Sequence, residues 1–407
     1  MIKRIPVKEV RLGMFIQELH GSWIKHPFWK TKFLLEDPEE LAALKTCGIS
    51  EVSIDLSRSK LLTPSASLGV VPGSVVSGTD KRVPAPAEVK NAQPVKTTFT
   101  QEFARARELC QRSKSAVISM FREARMGKAI SLDTAATVVE EITASVERHP
   151  QALITLARLK TSDDYTYMHS VAVCAMMVAL ARELGMDEGQ VRLAGSAGLL
   201  HDVGKMAVPD NILNKPGSLS DEEFSVIKTH PGRGAEILQA AGDVPEQVID
   251  VCLHHHEKYD GSGYPHGLQA EQIDQFARMG AICDVYDAIT SNRPYKKGWG
   301  PAESIQRMVQ WKGHFDPVLL QAFIKTMGIY PTGSLVRLKS QRLAIVVDQN
   351  EGKILQPKVK VFFSIKSKLP IPQQVLDLSV KTANDSIEAR EPVENWNFPY
   401  LNDLLVS

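Results

Sequence analysis

Apolar residues recur at helical spacing through the middle of the chain, from Leu132 to Met327. This periodicity predicts helices over 133–148, 165–184, 188–203, 222–229, 245–256, 273–291 and 302–312. Ser220 followed by Glu223 has the spacing of a capping box, and Pro150 and Gly185 are typical of helix ends. No strand pattern of comparable strength interrupts these segments, so the region predicts an all-helical bundle.

Alternating apolar and polar positions predict strands at both ends of the chain. Near the N-terminus, predicted strands over 10–16 and 51–56 flank a short predicted helix over 39–46. Towards the C-terminus, the alternation predicts strands over 334–338, 342–347 and 358–363, and the pattern after Lys368 predicts no clear element. The expected fold class is mainly α, with a small α+β N-terminal domain and a short C-terminal β segment.

Prolines change the character of the chain between residues 61 and 99, where they alternate with Gly, Ser and Lys. Such a composition does not bury a core, so it predicts a linker. Thr98 and Gln101 then form a capping box that opens an amphipathic helix ending at Gly127, which is either a connecting or dimer helix or one that packs on the next domain. The predicted domains are a small α+β domain 1–60, for which regulation is one interpretation, a linker 61–99, a connecting helix 100–131, a helical catalytic domain 132–329 and a β-rich extension 330–407.

The overall composition excludes several classes of protein. With 43% hydrophobic residues, 23% charged residues and a net charge of +1, the chain is globular and has no nucleic-acid or membrane-surface signal. Its five cysteines form no CxxC pair, which argues for a reducing compartment and against a disulfide framework. The longest apolar run, 171–181, has roughly half the length of a membrane span. A cytoplasmic protein without membrane insertion is expected.

Imidazole and carboxylate side chains gather at the ends of the predicted apolar helices. They are His169, His201, Asp202, His230, His254, His255, His256 and Asp284. Buried groups of this kind need partners, and several helices that each contribute such a side chain are typical of metal sites in bundle cores. The donors exceed the four of one zinc centre, which favours a two-metal site bridged by Asp202 over a set of unrelated core histidines. Fe, Mn, Ni and Zn all accept these donors.

Cationic side chains lie close to these donors in the sequence. Lys205 follows Asp202 by three residues, and Arg293 and Lys296 follow the predicted helix that carries Asp284. Cations in such positions suit a phosphate group. Arg293 and Lys296 therefore suit a ligand that carries phosphate.

Residues 160–330 resemble the HD-GYP subgroup of the HD-domain phosphohydrolases. The matching motifs are His169-Ser170, His201-Asp202-Val203-Gly204-Lys205, His230-Pro231, His255-His256-Glu257, Asp260-Gly261-Ser262-Gly263-Tyr264-Pro265, Asp284 with Tyr286-Asp287-Ala288, and Arg293-Pro294-Tyr295. The resemblance implies an all-helical HD-type bundle and a bacterial phosphodiesterase that hydrolyses cyclic di-GMP. The N-terminal region also resembles the uncharacterised domain often placed before HD-GYP modules.

The resemblance implies roles for individual residues as well. The implied metal ligands are His169, His201, Asp202, His230, His255, His256 and Asp284, and the implied substrate contacts are Lys205, Tyr264 with Gly263, Arg293 and Lys296. Iron or manganese is favoured, with nickel or zinc as alternatives. Tyr165 stands where some members carry a glutamate that helps to bind a third metal, so two ions are expected. The additional His254 either supports the metal ligands from behind or lies on the helix surface, and the surface position is favoured.

The expected chemistry is hydrolysis by a hydroxide held between two cations, which yields pGpG, GMP or both. Asp202 and Lys205 are the predicted catalytic residues, with Lys205 stabilising charge on the phosphoryl oxygens. Two alternatives are a cyclic-dinucleotide receptor without turnover and a related phosphohydrolase for another nucleotide. The family also implies diguanylate-cyclase-type domains as partners, and a homodimer is a further expectation.

Overall fold

The computed structural model describes residues 2–20, 33–35, 41, 44–45, 51–59, 96–159, 165–215, 217–291 and 298–405. Contacts divide the chain into two compact units, Met1–Gln93 and Pro94–Ser407. Most of the predicted helix 39–46, nearly all of the predicted linker, and both Arg293 and Lys296 lie outside the described residues. No helix of the described residues has the length and hydropathy needed to cross a membrane.

The N-terminal unit contains a four-stranded antiparallel sheet. Its strands are β1 (Ile2–Pro6), β2 (Phe15–His20), β3 (Phe33–Leu34) and β4 (Glu51–Asp55), in the order β1-β4-β2-β3. The strand predicted over 51–56 is confirmed, but the one predicted over 10–16 is wrong for residues 10–14. Gly13 has a φ of +84° and donates a hydrogen bond to the Leu35 carbonyl, so this segment turns before β2 begins at Phe15.

The second unit begins with a helical bundle. Its helices are α1 (Phe99–Arg125), α2 (Leu132–Arg148), α3 (Pro150–Arg158), α4 (Tyr165–Glu183), α5 (Glu188–Leu200), α6 (Asp210–Leu213), α7 (Asp221–Ile227), α8 (His230–Ala241), α9 (Glu246–His254), α10 (Gln275–Thr290), α11 (Pro301–Gln310) and α12 (Pro317–Met327). The capping boxes at Thr98 and Ser220 are confirmed. Pro150 ends α2 as predicted, but it also occupies the first turn of α3, a helix that the sequence pattern did not predict.

Helix α1 packs within the bundle. Phe99 and Phe103 form a buried cluster with Ala152 of α3. The carboxylate of Glu102 is fully buried and accepts two hydrogen bonds from Arg148 and one from Ser145. A buried carboxylate with this many donors ties α1 to α2. Of the two alternatives for this helix, packing on the helical domain is the one that the described residues show.

A five-stranded antiparallel sheet follows the bundle in the same unit. Its strands are β5 (Leu335–Leu338), β6 (Arg342–Asp348), β7 (Lys358–Ser364), β8 (Leu369–Asp377) and β9 (Ile387–Arg390), in the order β8-β7-β6-β5-β9. Successive residues such as Leu343 and Ala344 enter separate buried clusters on the two faces of the sheet. The predicted fold class is confirmed. The edge strands β8 and β9 were not predicted, because β8 is mostly exposed and carries two prolines.

Candidate metal centre

Close packing of α4 and α5 brings the first two histidines together. A Cβ on Gly198 would lie 3.0 Å from the backbone of Cys174, so the two helices approach as closely as their backbones allow. Helix α5 ends at Leu200, earlier than the predicted 203, and the chain continues as a 3₁₀ turn over Val203–Ala207. His201 and Asp202 lie at this change of geometry, and both side chains are buried.

The first cluster of donors surrounds one oxygen of Asp202. His169 Nε2 lies 3.4 Å from Asp202 Oδ2 and 2.9 Å from Asp284 Oδ1. His201 Nε2 is also 3.4 Å from Asp202 Oδ2, and it lies 3.2 Å from His169 Nε2. Helices α4 and α10 and the end of α5 therefore present two imidazoles and two carboxylates to one small volume.

The second cluster surrounds the other oxygen of Asp202. His230 Nε2 lies 3.3 Å and His255 Nε2 3.8 Å from Asp202 Oδ1, and the two nitrogens are 3.3 Å apart. The His256 ring lies beside both, with centroids 4.1 Å from His255 and 5.0 Å from His230, and its Nδ1 is 3.8 Å from Asp284 Oδ2. Asp202 thus stands between the two clusters, with one carboxylate oxygen towards each.

Hydrogen bonds at Nδ1 determine which nitrogen of each ring is free to bind a metal. The Nδ1 atoms of His201, His230 and His255 lie 2.8, 2.7 and 2.9 Å from the carbonyl oxygens of Gly198, Ile227 and Cys252. Because a carbonyl oxygen only accepts, each Nδ1 must carry the hydrogen, which leaves the Nε2 lone pair facing Asp202.

These facing lone pairs repel one another unless a cation lies between them. The Nε2 separations of 3.2 and 3.3 Å are close to the about 3.4 Å expected for two imidazoles on one tetrahedral ion. Asp202 Oδ1 is buried and accepts no hydrogen bond from the described residues. The donors therefore fit metal ions in both clusters: His169, His201 and Asp202 in one, and His230, His255 and His256 in the other.

The electrostatics keep His255, His256 and Asp202 in the form that binds a cation. Burial and the neighbouring His256 imidazole lower the pKa of His255 well below its usual value, and burial lowers the pKa of His256 to about 3. Burial alone would raise the pKa of Asp202, but the Lys205 ammonium and His201 hold it well below the ordinary value. At neutral pH the His255 and His256 imidazoles are therefore neutral and the Asp202 carboxylate is charged.

Two predicted substrate contacts lie beside the clusters. Lys205 is partly exposed, and its Nζ lies 2.5 Å from Asp202 Oδ2. The Tyr264 ring stacks on His256, with centroids 4.8 Å apart and an interplanar angle of 28°. Gly263 has no room for a side chain, because a Cβ there would lie 2.3 Å from Lys258 N. The loop that positions Tyr264 turns so closely here that only glycine fits at position 263.

The prediction for His254 was wrong. Its ring is buried instead of lying on the helix surface, with Nδ1 2.7 Å from Asp250 Oδ1 and Nε2 2.9 Å from His266 Nδ1. His266 comes from the loop after α9, twelve residues later in the chain, so this contact could not be read from helical periodicity. The side chain ties that loop to the helix carrying the histidine pair.

Two further residues near the clusters were not assigned a role from the sequence. Asp287 Oδ2 accepts a hydrogen bond of 2.7 Å from His169 Nδ1, which orients that ring. In the sequence, the position of Asp287 one helical turn after Asp284 was the pattern that could have indicated this role. Glu257 is buried, and its Oε1 accepts hydrogen bonds from the amides of His266 and Gly267, which holds the Tyr264 loop closed at its base.

A helical bundle that holds a buried histidine–aspartate cluster defines an HD-type domain. The family model for the HD domain matches residues 139–319, and that for a domain of unknown function, DUF3391, matches residues 2–135. The cyclic di-GMP phosphodiesterase PA4108 of Pseudomonas aeruginosa is 55% identical over 405 residues, which cover 99% of this chain and 95% of that protein. The chain therefore belongs to the HD-GYP family of HD-domain proteins, and the resemblance expected from its motifs is confirmed.

Two further relatives match part of the chain. The cyclic di-GMP phosphodiesterase response regulator RpfG of Xanthomonas campestris is 39% identical over 182 residues, covering 44% of this chain and 48% of that protein. The 3'3'-cGAMP-specific phosphodiesterase 2 of Vibrio cholerae is 38% identical over 162 residues, covering 39% of this chain and 31% of that protein. An HD domain binds divalent metal, which agrees with the donors described above.

Proposed function

We propose that this protein is a metal-dependent phosphodiesterase that hydrolyses cyclic di-GMP to pGpG, GMP or both. The observation that carries the proposal is the position of Asp202, whose two oxygens each face a separate cluster of buried imidazoles. A relative that is 55% identical along almost the whole chain bears the name of this activity. A bridging carboxylate between two donor clusters is typical of two-metal phosphoester hydrolases.

We propose that seven side chains hold two divalent ions. They are His169, His201, Asp202, His230, His255, His256 and Asp284. Divalent cations supply charge neutralisation at the phosphate and lower the pKa of bound water. Imidazole with carboxylate and no thiolate among the donors supports iron or manganese, although the same set accepts nickel or zinc.

The residues of the chain itself bind and orient the phosphodiester. Lys205 is the described cation nearest to Asp202, and we propose that its ammonium leaves the carboxylate to contact a phosphoryl oxygen where negative charge develops. The Tyr264 ring, stacked on His256, presents a flat surface beside the second cluster for a base or ribose of the substrate. Arg293 and Lys296, outside the described residues, remain predicted contacts to the second phosphate.

The decisive experiment is a substrate panel with metal-loaded protein and elemental analysis of the same sample. We expect rapid cleavage of cyclic di-GMP and slower cleavage of 3'3'-cGAMP, the nucleotide named for one 38% identical relative. Preferential cleavage of 3'3'-cGAMP would replace the substrate in this proposal. Tight binding of cyclic di-GMP by metal-loaded protein without any turnover would instead identify a receptor.

Replacing Lys205 with methionine should lower kcat about 100-fold and leave the metal content unchanged. The change keeps the length of the side chain and removes its charge, so the transition state loses a cation while the metal donors remain. Steady-state rates and elemental analysis measure both effects. The control is Lys215→Met, which removes an amine that pairs with Glu223 away from the clusters. A loss of metal in Lys205→Met would assign a structural role to this residue.

Replacing Asp287 with alanine should weaken metal binding by about 10- to 100-fold. The His169 ring would lose its acceptor at Nδ1, and with it the orientation of Nε2 towards Asp202. Metal retained after dialysis against a graded series of chelator concentrations gives the measurement. Asp287→Asn keeps an acceptor oxygen in the same place and should retain most of the affinity. Equal losses in the two variants would argue against a positioning role.

Further parts of the proposal concern the surroundings of this site. We propose that residues 132–329 form the catalytic domain and that residues 1–60 regulate it, as the match to a separate N-terminal family supports. Diguanylate-cyclase-type domains and a second copy of the chain are proposed partners. A reducing, cytoplasmic location is supported by the buried free thiols of Cys174, Cys252 and Cys283.

A further inference from the structure

A pocket lies between the loop that carries Tyr264 and the turn between α11 and α12. It has a volume of about 330 Å³ and is lined by Lys258, Asp260, Ser262, Trp311, Lys312 and His314. None of these residues belongs to the donor clusters. Three come from the loop after α9, and three come from the turn between α11 and α12.

Two aromatic rings line this pocket. The Trp311 and His314 rings are nearly parallel, with centroids 5.5 Å apart and an interplanar angle of 27°. Burial lowers the pKa of His314 to about 4, so its ring is neutral at physiological pH. Both side chains are half-buried, and neither ring is surrounded completely by protein. Flat, uncharged aromatic surfaces of this kind stack on nucleobases.

Charged groups line the same pocket. Among the described residues, neither the Lys258 nor the Lys312 ammonium has a hydrogen bond or an ion pair, so both are available to an anion. Asp260 supplies a carboxylate whose Oδ1 accepts a hydrogen bond from Ser262 N. The edge of guanine presents adjacent N–H donors that suit a carboxylate, whereas adenine does not present that pair.

The same loop joins the pocket to the donor clusters. The Asp260 amide donates to the Gly313 carbonyl at 2.8 Å, and the Tyr259 amide donates to the His314 carbonyl at 3.1 Å. Further along the loop, Tyr264 stacks on His256. A ligand held between the loop and the Trp311 turn would therefore restrain the segment that positions Tyr264.

We propose that this pocket is a second nucleotide site that binds a guanosine phosphate. The base stacks on Trp311 and His314, and the phosphate contacts Lys258 and Lys312. Asp260 favours guanine over adenine. The ligand is either GMP, the mononucleotide product of the proposed reaction, or GTP. Titrations with each nucleotide distinguish the two. The site itself does not require the proposed hydrolytic function.

Calorimetric titration of metal-free, full-length Asp202→Ala protein with GMP tests the site without turnover. We expect one GMP per chain, with AMP bound at least about fivefold more weakly. Trp311→Leu in the same background should weaken GMP binding about tenfold or more, and Lys312→Ala about threefold, with a smaller dependence on salt. Lys366→Ala, which removes an exposed lysine in the C-terminal sheet region, is the matched control and should have no effect. A parallel titration with GTP shows which phosphate length the pocket prefers.

Three results would overturn the proposed site. GMP binding that disappears in the metal-free Asp202→Ala protein would place the nucleotide at the donor clusters instead. Equal affinity for inorganic phosphate and GMP would reduce the pocket to an anion-binding surface. Unchanged GMP binding in both Trp311→Leu and Lys312→Ala would place the ligand elsewhere. Because no step of this test measures hydrolysis, failure of the proposed phosphodiesterase activity would leave its outcome unaffected.

Discussion

Replacing Asp202 with alanine is expected to remove the bound metal and to lower the rate of cyclic di-GMP hydrolysis by at least about 10³-fold. Asp202 lies between the two donor clusters, with Oδ2 3.4 Å from His169 and His201 Nε2 and Oδ1 3.3 Å from His230 Nε2. Without it, both clusters lose the carboxylate that they share, and with it one negative charge that offsets the cations. Both ions should therefore be lost together.

Elemental analysis and steady-state rates measured on the same preparation check this expectation. Asp202→Asn is the shape-matched variant and should behave like Asp202→Ala, because an amide lacks the charge. The control is Asp210→Ala, which removes an exposed carboxylate nearby in the chain that pairs with Arg125. Full activity in Asp202→Ala protein that contains no metal would contradict the metal mechanism. Retention of a single ion would show that the clusters bind metal independently.

The location of the donor clusters was more accessible from the sequence than their detailed geometry. Histidines such as His169 and His201 stand out because apolar neighbours place them inside a helix bundle, where an imidazole needs a partner. The burial of each donor follows from its own helix. Which oxygen of Asp202 faces which cluster depends on the packing of α4, α8 and α10, and periodicity along one helix does not specify how two helices meet.

The same distinction explains the contacts that were missed or wrongly predicted. His254 was expected on the surface because its partner His266 lies in a loop whose path no local pattern predicts. The role of Asp287 depends on a contact with His169 across 118 positions. In the C-terminal sheet, β6 and β7 carry strong alternation and were predicted, whereas the short strand β9 is stabilised by pairing with β5.

Replacing Gly204 with alanine is expected to destabilise the fold by about 3 kcal/mol or more and to weaken metal binding with it. A Cβ at Gly204 would lie 1.9 Å from the His230 carbonyl oxygen and 2.4 Å from the Gly234 amide nitrogen. Both atoms belong to the backbone of α8, so the clash cannot be relieved by turning a side chain. The 3₁₀ turn and α8 would have to separate, which moves His230 away from Asp202.

Gly232→Ala provides the control on the same helix. A Cβ there meets nothing within 4 Å, and alanine should stabilise α8 by up to about 1 kcal/mol through its helix propensity. Thermal unfolding of the metal-free proteins, followed by metal titration, separates the effect on the fold from the effect on the site. If the Gly204→Ala and Gly232→Ala proteins unfold at the same temperature, the close approach of the two segments does not hold His230 in place. If the Gly204→Ala protein unfolds at a lower temperature and also requires more metal for saturation, the absence of a side chain at position 204 is what allows Asp202 and His230 to come together.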